Sequence, residues 1–381
     1  MHSLQFSLQN TTMILGVDLY PRWVGTESVL QGESPYSQET REQIWLAIYG
    51  STDKPNGNIF GFYYPPAITT LFMPFVLAGI PVGWAAALWC AFLWAILSTA
   101  LVFWVINFQN SKSSLFIIPI LFLSGWLFRP AFSNYLLGQF ALFSVLTALG
   151  AWLLLRSNRP VWAGIFAALS LVKPSLTIIP IGLLFIEHWR KPKGILAFLA
   201  TSLVLYLPPT FLLGWWLPDF LSDISHYAIE NRVSWSIADI GSATGLFWLF
   251  ASILLIGIGI YKKESLLMFA SASALNAIFV PHTADYDLVA FIPLLVYLGE
   301  IWLRKDRMKS FHALLYFAFL WFPWLSLIAV LIMNQESNAV ESWYRLIWLV
   351  YPPVILLLSL YTKMPDLKLL LKREKTPKIG V

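Results

Sequence analysis

The chain has 381 residues, of which 58% are hydrophobic and 12% charged, and its net charge is +5. Soluble domains carry about a quarter of charged residues, so this composition excludes a water-soluble fold. We expect no nucleic-acid partner, because excess Lys and Arg in membrane proteins usually gather in cytoplasmic loops.

Residues 1–81 are predicted to form an external loop. The segment Met1 to Val17 has no apolar run long enough to cross a membrane and lacks the basic start of a signal peptide. We therefore expect that a first membrane helix is missing. Within the loop, Ala67 to Ile80 is apolar but short and contains Pro74, which favours a short helix at the outer membrane interface.

Residues 82–362 are predicted to form the transmembrane domain, since about 20 apolar residues suffice to cross the hydrocarbon core. The runs Pro160 to Val172 and Pro174 to Ile186 are shorter, and we expect them to form a hairpin whose tip carries Lys173 to some depth. With these two, eleven membrane helices are predicted. The other predicted spans are Val82–Asn107, Ser113–Phe128, Ala131–Leu155, Gly194–Leu217, Gly241–Tyr261, Ser265–Val280, Leu288–Leu303, Ser310–Met333 and Leu346–Tyr361.

The distribution of charges predicts the orientation. Residues 363–381 form a basic tail, and placing this tail in the cytoplasm puts most Lys and Arg inside and most Asp and Glu outside. We therefore expect a multi-pass protein of the plasma membrane with a cytoplasmic C-terminus and a polar site on the extracytoplasmic face.

Polar motifs follow one another in order at the outer ends of the predicted helices. Asp18 opens the external loop, Tyr64 begins a Tyr-Pro-Pro motif before the interfacial helix, and Gly-Gln and Lys-Pro pairs follow at Gln139 and Lys173. This order resembles the GT-C superfamily of integral membrane glycosyltransferases. Within it, the sequence looks most like glycosyltransferase family 87, the polyprenyl-phosphate-mannose-dependent mannosyltransferases and their relatives.

The resemblance is strongest from Gly16 to Lys193 and continues more weakly to a Pro-His-x-x-Asp-Tyr-Asp segment that begins at Pro281. It implies an all-α, GT-C-like bundle in contact with membrane lipids. It also implies transfer of a hexose, expected to be mannose, from a polyprenyl-phosphate donor to a glycolipid or glycan acceptor. The expected transfer inverts the anomeric carbon and uses no cofactor or metal.

Asp18 is the catalytic base that the resemblance implies. The chemistry agrees, since a sugar hydroxyl is a poor nucleophile and a carboxylate must take its proton as the new bond forms. The alternative is that Asp18 caps the helix predicted to begin at Leu19.

The leaving polyprenyl phosphate is a stable anion, so the site needs cations more than a general acid. Lys173 is the main candidate, because a Lys at membrane depth usually faces a cavity or a partner, although it could instead extend to the interface. Arg22 and Arg129 are further candidates, or else surface charges or partners of nearby acids. His282 is expected to orient phosphate or sugar hydroxyls; by residue type, His282, Asp285 and Asp287 could instead be metal ligands.

The predicted sugar- and acceptor-binding side chains are polar or aromatic. Asn134 and Gln139 either bond sugar hydroxyls or join helices, and Asp287 either binds substrate or caps the next helix. The full set is Tyr20, Tyr64, Asn134, Gln139, Asp285 and Asp287.

The polar segment Trp215 to Ile240 is open to two interpretations. Its charged residues recur at one or two helical turns, so it either covers the acceptor site or forms an interfacial helix with a solvated face. The members of the pattern are Asp219, Asp223, His226, Glu230 and Arg232.

Two functions other than transfer also fit this pattern. A flippase for lipid-linked sugar would carry Lys and Asp at the ends of broken helices, although transporters tend to show repeated halves and sites near the midplane. A non-catalytic membrane scaffold is the second. Donor turnover separates the three, since only an enzyme releases polyprenyl phosphate.

Overall fold

The computed structural model describes residues 5–8, 11–53, 60–106, 114–188, 191–230, 237–280, 284–304, 310–333 and 339–374. Two short antiparallel strands, β1 (Gln5–Leu8) and β2 (Thr11–Ile14), come first. The remaining described elements are helical, so the all-α prediction needs only this small correction.

Residues 1–81, which keep the name external loop from the predicted orientation, contain a 3-10 turn, Val17–Leu19, and three helices: α1 (Tyr20–Leu30), α2 (Gln38–Tyr49) and α3 (Ala67–Leu77). The predicted short helix is confirmed as α3. Ser37 begins α2, where its hydroxyl accepts a hydrogen bond from the Thr40 backbone N–H at 3.1 Å. Helix α1 packs against both α2 and α3, so the loop has a folded core of its own.

The following helices form the bundle. In chain order they are α4 (Val82–Ile106), α5 (Ser114–Trp126), α6 (Arg129–Leu137), α7 (Ala141–Arg156), α8 (Pro160–Ser170), α9 (Ile178–His188), α10 (Pro192–Leu213), α11 (Leu217–Glu230), α12 (Ala243–Lys262), α13 (Ser265–Ala277), α14 (Ile292–Arg304), α15 (Ser310–Met333) and α16 (Ala339–Glu374). Shorter 3-10 segments cover Pro174–Leu176, Ile237–Gly241 and Asp285–Phe291.

Within the described residues, five helices are long and apolar enough to cross a membrane, or six if α6 and α7 together make one span. The five lie in α4, α10, α12, α15 and α16. The predicted total of eleven spans is not confirmed, because most of the other helices are shorter than a crossing requires. The chain is nevertheless a polytopic membrane protein, with large apolar side chains such as Phe211 exposed on its helices.

One predicted span, Ala131 to Leu155, is wrong as a single helix. Helix α6 ends at Gly138, which has φ 75°, and α7 leaves at an angle of 116°. A Cβ at Gly138 would lie 3.2 Å from the Gly16 Cα, so glycine serves both the left-handed conformation and the close approach. The break places Gln139 at the corner between two helices.

The predicted hairpin around Lys173 is half right. Both helices exist, and Lys173 lies between them with φ −129° and ψ 76°, outside the helical region that proline disfavours for the residue before it. However, α8 packs mainly against α7 and α10, whereas α9 packs mainly against α13. Each short helix buries its apolar face against a longer neighbour, so the two do not form a paired hairpin.

The main core lies among α12 to α16, where Trp248, Trp343 and Trp348 are fully buried. A second core joins the external loop to α4 and the start of α7 through Trp23, Phe72 and Phe140. The folded loop is therefore fixed to the bundle, and the polar residues of the two regions meet at this junction.

Candidate active site

Asp18 lies where the external loop meets the corner between α6 and α7. The preceding Gly16, with φ 70°, donates its backbone N–H to the Leu136 carbonyl at 2.9 Å. A Cβ at Gly16 would lie 2.9 Å from the Ala86 Cβ, so only glycine lets the chain approach this closely. Gly16 thereby positions Asp18, which is half-buried, beside Gln139.

The structure does not support a capping role for Asp18. Leu19 is the residue before α1, and no side chain caps that helix end. The Asp18 Oδ2 atom instead accepts a hydrogen bond from Gln139 Nε2 at 2.7 Å. The carboxylate therefore faces the corner between α6 and α7.

Gln139 connects Asp18 to Arg22. Its Oε1 atom accepts from the Arg22 guanidinium at 2.9 Å, and Arg22 also donates to the Tyr64 hydroxyl. Arg22 is 1% exposed, so it is no surface charge, and its Nε atom has no hydrogen-bond partner among the described residues. Four predicted site residues thus form one hydrogen-bonded network.

The surroundings of Asp18 have opposing effects on its pKa. Burial raises the pKa of Asp18 above its usual value, while Arg22, the Gln139 hydrogen bond and Lys173 act to lower it, and Asp285 acts to raise it. Desolvation outweighs the cations, so the carboxylate holds a proton more readily than an exposed Asp would. An effective general base has a pKa near the working pH, and a raised pKa brings the Asp18 carboxylate closer to that value.

Lys173 forms an ion pair with Asp287. Its Nζ atom lies 2.5 Å from Asp287 Oδ1 and 5.0 Å from the centre of the Tyr286 ring. The second Asp287 oxygen accepts the Ala284 backbone N–H at 3.2 Å, at the start of the 3-10 segment. Asp287 therefore has both a capping contact and a charged partner. The Lys173 side chain is only 11% exposed, so it is enclosed by the protein instead of extending away from it.

An open cleft lies beside this ion pair. Its walls come from the external loop, the turn at Lys173, α11 and the chain before α14. The lining residues are Tyr63, Tyr64, Pro65, Lys173, Pro174, Ser175, Phe220, Ile224, Tyr227, Val280, Tyr286 and Asp287. Asp18 is not among the lining residues. It is connected to the lining residue Tyr64 through Gln139 and Arg22, and it acts electrostatically on Tyr227 and Tyr286.

Arg129 has a different environment. Its guanidinium lies 2.8 Å from Asp285 Oδ2, which also accepts a hydrogen bond from the Ser133 hydroxyl at 2.5 Å. The guanidinium further lies 5.1 Å from the Trp324 ring centre and 5.5 Å from that of Trp343. Arg129 is thus the partner of a buried acid. This arrangement matches one of the alternative roles predicted for Arg129, pairing with a nearby acid, and not the binding of phosphate.

Asn134 joins structural elements. Its Nδ2 atom donates to the Pro130 and Tyr286 carbonyls at 2.8 Å, and its Oδ1 atom accepts the Leu142 N–H at 2.8 Å. Because Asn134 is fully buried and its amide is occupied, it links α6, α7 and the 3-10 segment Asp285–Phe291. Tyr20 is also buried, in the core of the loop. His282 lies outside the described residues.

Helix α11 contributes residues that the sequence did not indicate. Asp223, predicted as part of the charged pattern, is buried and pairs with Arg41 of α2, whereas Asp219 and His226 are exposed. The side chains of Glu230 and Arg232 lie outside the described part. Phe220, Ile224 and Tyr227 line the cleft. Their spacing of three to four residues is visible in the sequence, but the predictions for this segment rest only on its charged residues.

The fold and site therefore define a helical membrane protein whose half-buried carboxylate belongs to a hydrogen-bonded network that borders a cleft lined by tyrosines and a lysine. The sequence model of glycosyltransferase family 87 matches residues 62–323, which is more than half of the chain. The protein belongs to glycosyltransferase family 87 and is a glycosyltransferase.

Tyr64, Gln139, Lys173, Asp285 and Asp287 lie within the matched region, while Asp18 and Arg22 precede it. Neither the comparison with curated proteins nor the one with solved structures gives a match.

Proposed function

We propose that this glycosyltransferase moves mannose from a polyprenyl-phosphate donor to a glycolipid or glycan acceptor, with Asp18 as the general base. The observation that carries the proposal is the position of Asp18 in a hydrogen-bonded network beside a cleft that also holds the cationic Lys173. The site would face the extracytoplasmic side of the plasma membrane, with the C-terminus in the cytoplasm.

In the proposed reaction, the acceptor hydroxyl oxygen forms a bond to the anomeric carbon while its proton passes to Asp18. The bond from that carbon to the phosphate oxygen breaks, and its electron pair leaves with the polyprenyl phosphate. Attack opposite to the leaving group inverts the anomeric carbon. The raised pKa of Asp18 supports the role of proton acceptor.

The leaving phosphate would bind Lys173. Its ammonium group borders the cleft at the ion pair with Asp287, and a fixed cation stabilises charge that develops on a leaving group. Tyr64 and Asp287, which also line the cleft, are the proposed partners of sugar hydroxyls.

Arg22 and Gln139 would act on the base. Gln139 donates to Asp18 and accepts from Arg22, so this pair fixes the orientation of the carboxylate and lowers its pKa. The geometry favours a supporting role for Arg129, Asp285 and Asn134, whose polar groups bond to one another or to neighbouring backbone.

The proposal is tested in vesicles that contain the purified protein and polyprenyl-phosphate mannose labelled in the sugar. We expect release of polyprenyl phosphate and label in an acceptor glycan of inverted configuration. Movement of intact donor across the bilayer would indicate a flippase, and an unchanged donor in the presence of acceptor glycans would contradict the proposed donor.

A further inference from the structure

Tyrosines dominate one side of the cleft. Tyr63 and Tyr227 stack with ring centres 4.0 Å apart and planes at 27°. Tyr64 and Tyr286 border the same space. Four tyrosines from three separate segments of the chain therefore converge on the region where the sugars would react.

The stacked pair depends on a local feature of the external loop. A Cβ at Gly61 would lie 2.6 Å from the Tyr63 ring carbon Cζ, so only glycine at this position leaves room for the ring as it lies. Both Tyr63 and Tyr227 are half-buried and line the cleft, so part of each ring borders open space.

Helix α11 is held over the cleft by contacts with the loop. Asp223 pairs with Arg41, the Phe220 and Tyr36 ring centres are 6.0 Å apart, and the Tyr36 hydroxyl donates to the Tyr64 carbonyl at 2.7 Å. The position of Tyr227 is thereby fixed relative to Tyr63 and Tyr64. Contacts within the protein therefore hold the aromatic surface in place.

We infer that the stacked pair of Tyr63 and Tyr227 forms a platform, and that the pyranose ring of a substrate sugar stacks on a ring face that the partner tyrosine does not cover. A pyranose has a face of C–H groups, and such groups pack favourably on the negative face of an aromatic ring. Phenol hydroxyls, Lys173 and Asp287 around the platform supply the polar groups that a sugar's hydroxyls require. This inference rests on the proposed function and names a subsite for it.

The phenols are suited to hydrogen bonding with hydroxyls. Burial raises the pKa of both Tyr227 and Tyr286 well above the usual value, and the neighbouring acids Asp18 and Asp287 add to the effect. Both phenols therefore stay protonated at neutral pH and can donate to sugar oxygens.

Replacement of Tyr227 tests the platform. Tyr227→Leu removes the aromatic face but keeps apolar volume, and we expect the KM for one sugar substrate to rise about five- to tenfold. Tyr227→Phe keeps the ring and loses only the phenol hydroxyl, so its KM should rise less than that of Tyr227→Leu. Tyr63→Leu should resemble Tyr227→Leu. Tyr261→Leu, at an exposed position of α12, is the matched control.

The measurement varies polyprenyl-phosphate mannose and octyl α-mannopyranoside separately. A rise confined to the octyl mannoside assigns the platform to the acceptor sugar, and a rise confined to the donor assigns it to the donor sugar. Unchanged KM values for both substrates in Tyr227→Leu and Tyr63→Leu would overturn the inference, as would an equal effect in Tyr227→Phe.

Binding without turnover separates this inference from the proposed function. Saturation-transfer NMR with methyl pyranosides of mannose, glucose and galactose should show contact at ring C–H protons for at least one sugar, reduced at least fivefold in Tyr227→Leu but not in Tyr261→Leu. The proposed donor can fail while this result stands. If the parent protein contacts none of the three sugars, or if the signal persists in Tyr227→Leu, the platform is refuted.

Discussion

Asp18 and Asp285 are two acids within electrostatic reach of each other, yet their surroundings differ. Asp285 is 1% exposed, pairs with Arg129 and accepts from Ser133. Asp18 is half-buried and receives a hydrogen bond from the neutral Gln139. The charge of Asp285 is paired with Arg129, so removing either partner would leave the other charge buried without its counter-ion. The carboxylate of Asp18 is held by a neutral amide, so it can take up and release a proton.

The largest expected effect is on catalysis at Asp18. Asp18→Asn keeps the shape but removes the proton acceptor, so transfer should fall by about 10²- to 10⁴-fold. Stability should stay the same or rise at neutral pH, because an acid whose pKa is raised on folding disfavours the folded state once it ionises. Turnover of labelled donor and thermal unfolding in detergent measure the two effects.

Asp53→Asn, at an exposed position of the external loop, is the control for this experiment. Normal turnover by Asp18→Asn would remove Asp18 from the mechanism.

A loss of stability is expected at Asp285. Asp285→Asn leaves the Arg129 guanidinium without its anionic partner, which destabilises the fold, but it also removes the desolvation that raises the pKa of Asp285. The loss should therefore stay below the cost of a broken buried pair, which is about 3–5 kcal/mol. Thermal unfolding should occur at a lower temperature, while activity per folded molecule stays within about threefold. Asp219→Asn, which changes an exposed acid, should have little effect on either quantity. A stable but inactive Asp285→Asn protein would instead indicate that Asp285 binds substrate.

An intermediate effect is expected at Lys173. Lys173→Met removes the proposed phosphate cation, and loss of a charged hydrogen bond corresponds to about a 10- to 100-fold fall in kcat/KM for the donor. It also leaves Asp287 unpaired, so the double variant Lys173→Met with Asp287→Leu should regain stability without regaining activity. Recovery of activity in the double variant would show that Lys173 serves only to neutralise Asp287.

The smallest expected effect is a shift in the pH profile of Gln139→Met. The Gln139 hydrogen bond favours ionised Asp18 and lowers its pKa, so its loss should raise that pKa further. Because the base acts only when ionised, the acidic limb of kcat/KM should move to higher pH. Gln31→Met, an exposed glutamine at the end of α1, should leave the profile unchanged. A shift to lower pH in Gln139→Met would contradict the proposed role of this amide.

Much of the architecture was predictable from local sequence. Long apolar runs predict the helices that can cross a membrane, since their length and composition alone satisfy the requirement. The short helix α3 and the two helices around Lys173 were also predictable, from an apolar run limited by proline and from the extended preference before proline. These features depend on residues that are neighbours in the chain.

The break between α6 and α7 could not be predicted from local sequence. The segment from Ala131 to Leu155 is apolar enough to look like one span, and Gly138 alone does not reveal a bend of 116°. The bend becomes necessary only because the backbone of Gly16 packs against Gly138, a contact between residues far apart in sequence. The predicted count of eleven spans is not confirmed, because short helices that pack on longer ones look locally like separate crossings.

By itself, the sequence determined the membrane class, the polar motifs and the candidate base, because composition and residue type limit which chemistry is available. Only the tertiary structure decided which polar groups act together. The Asp18 to Gln139 hydrogen bond spans 121 positions in the chain, the Lys173 to Asp287 pair 114, and Tyr227 joins the cleft only because α11 folds back over the external loop. Such contacts follow from how buried surfaces fit together, and no single segment of sequence encodes that fit.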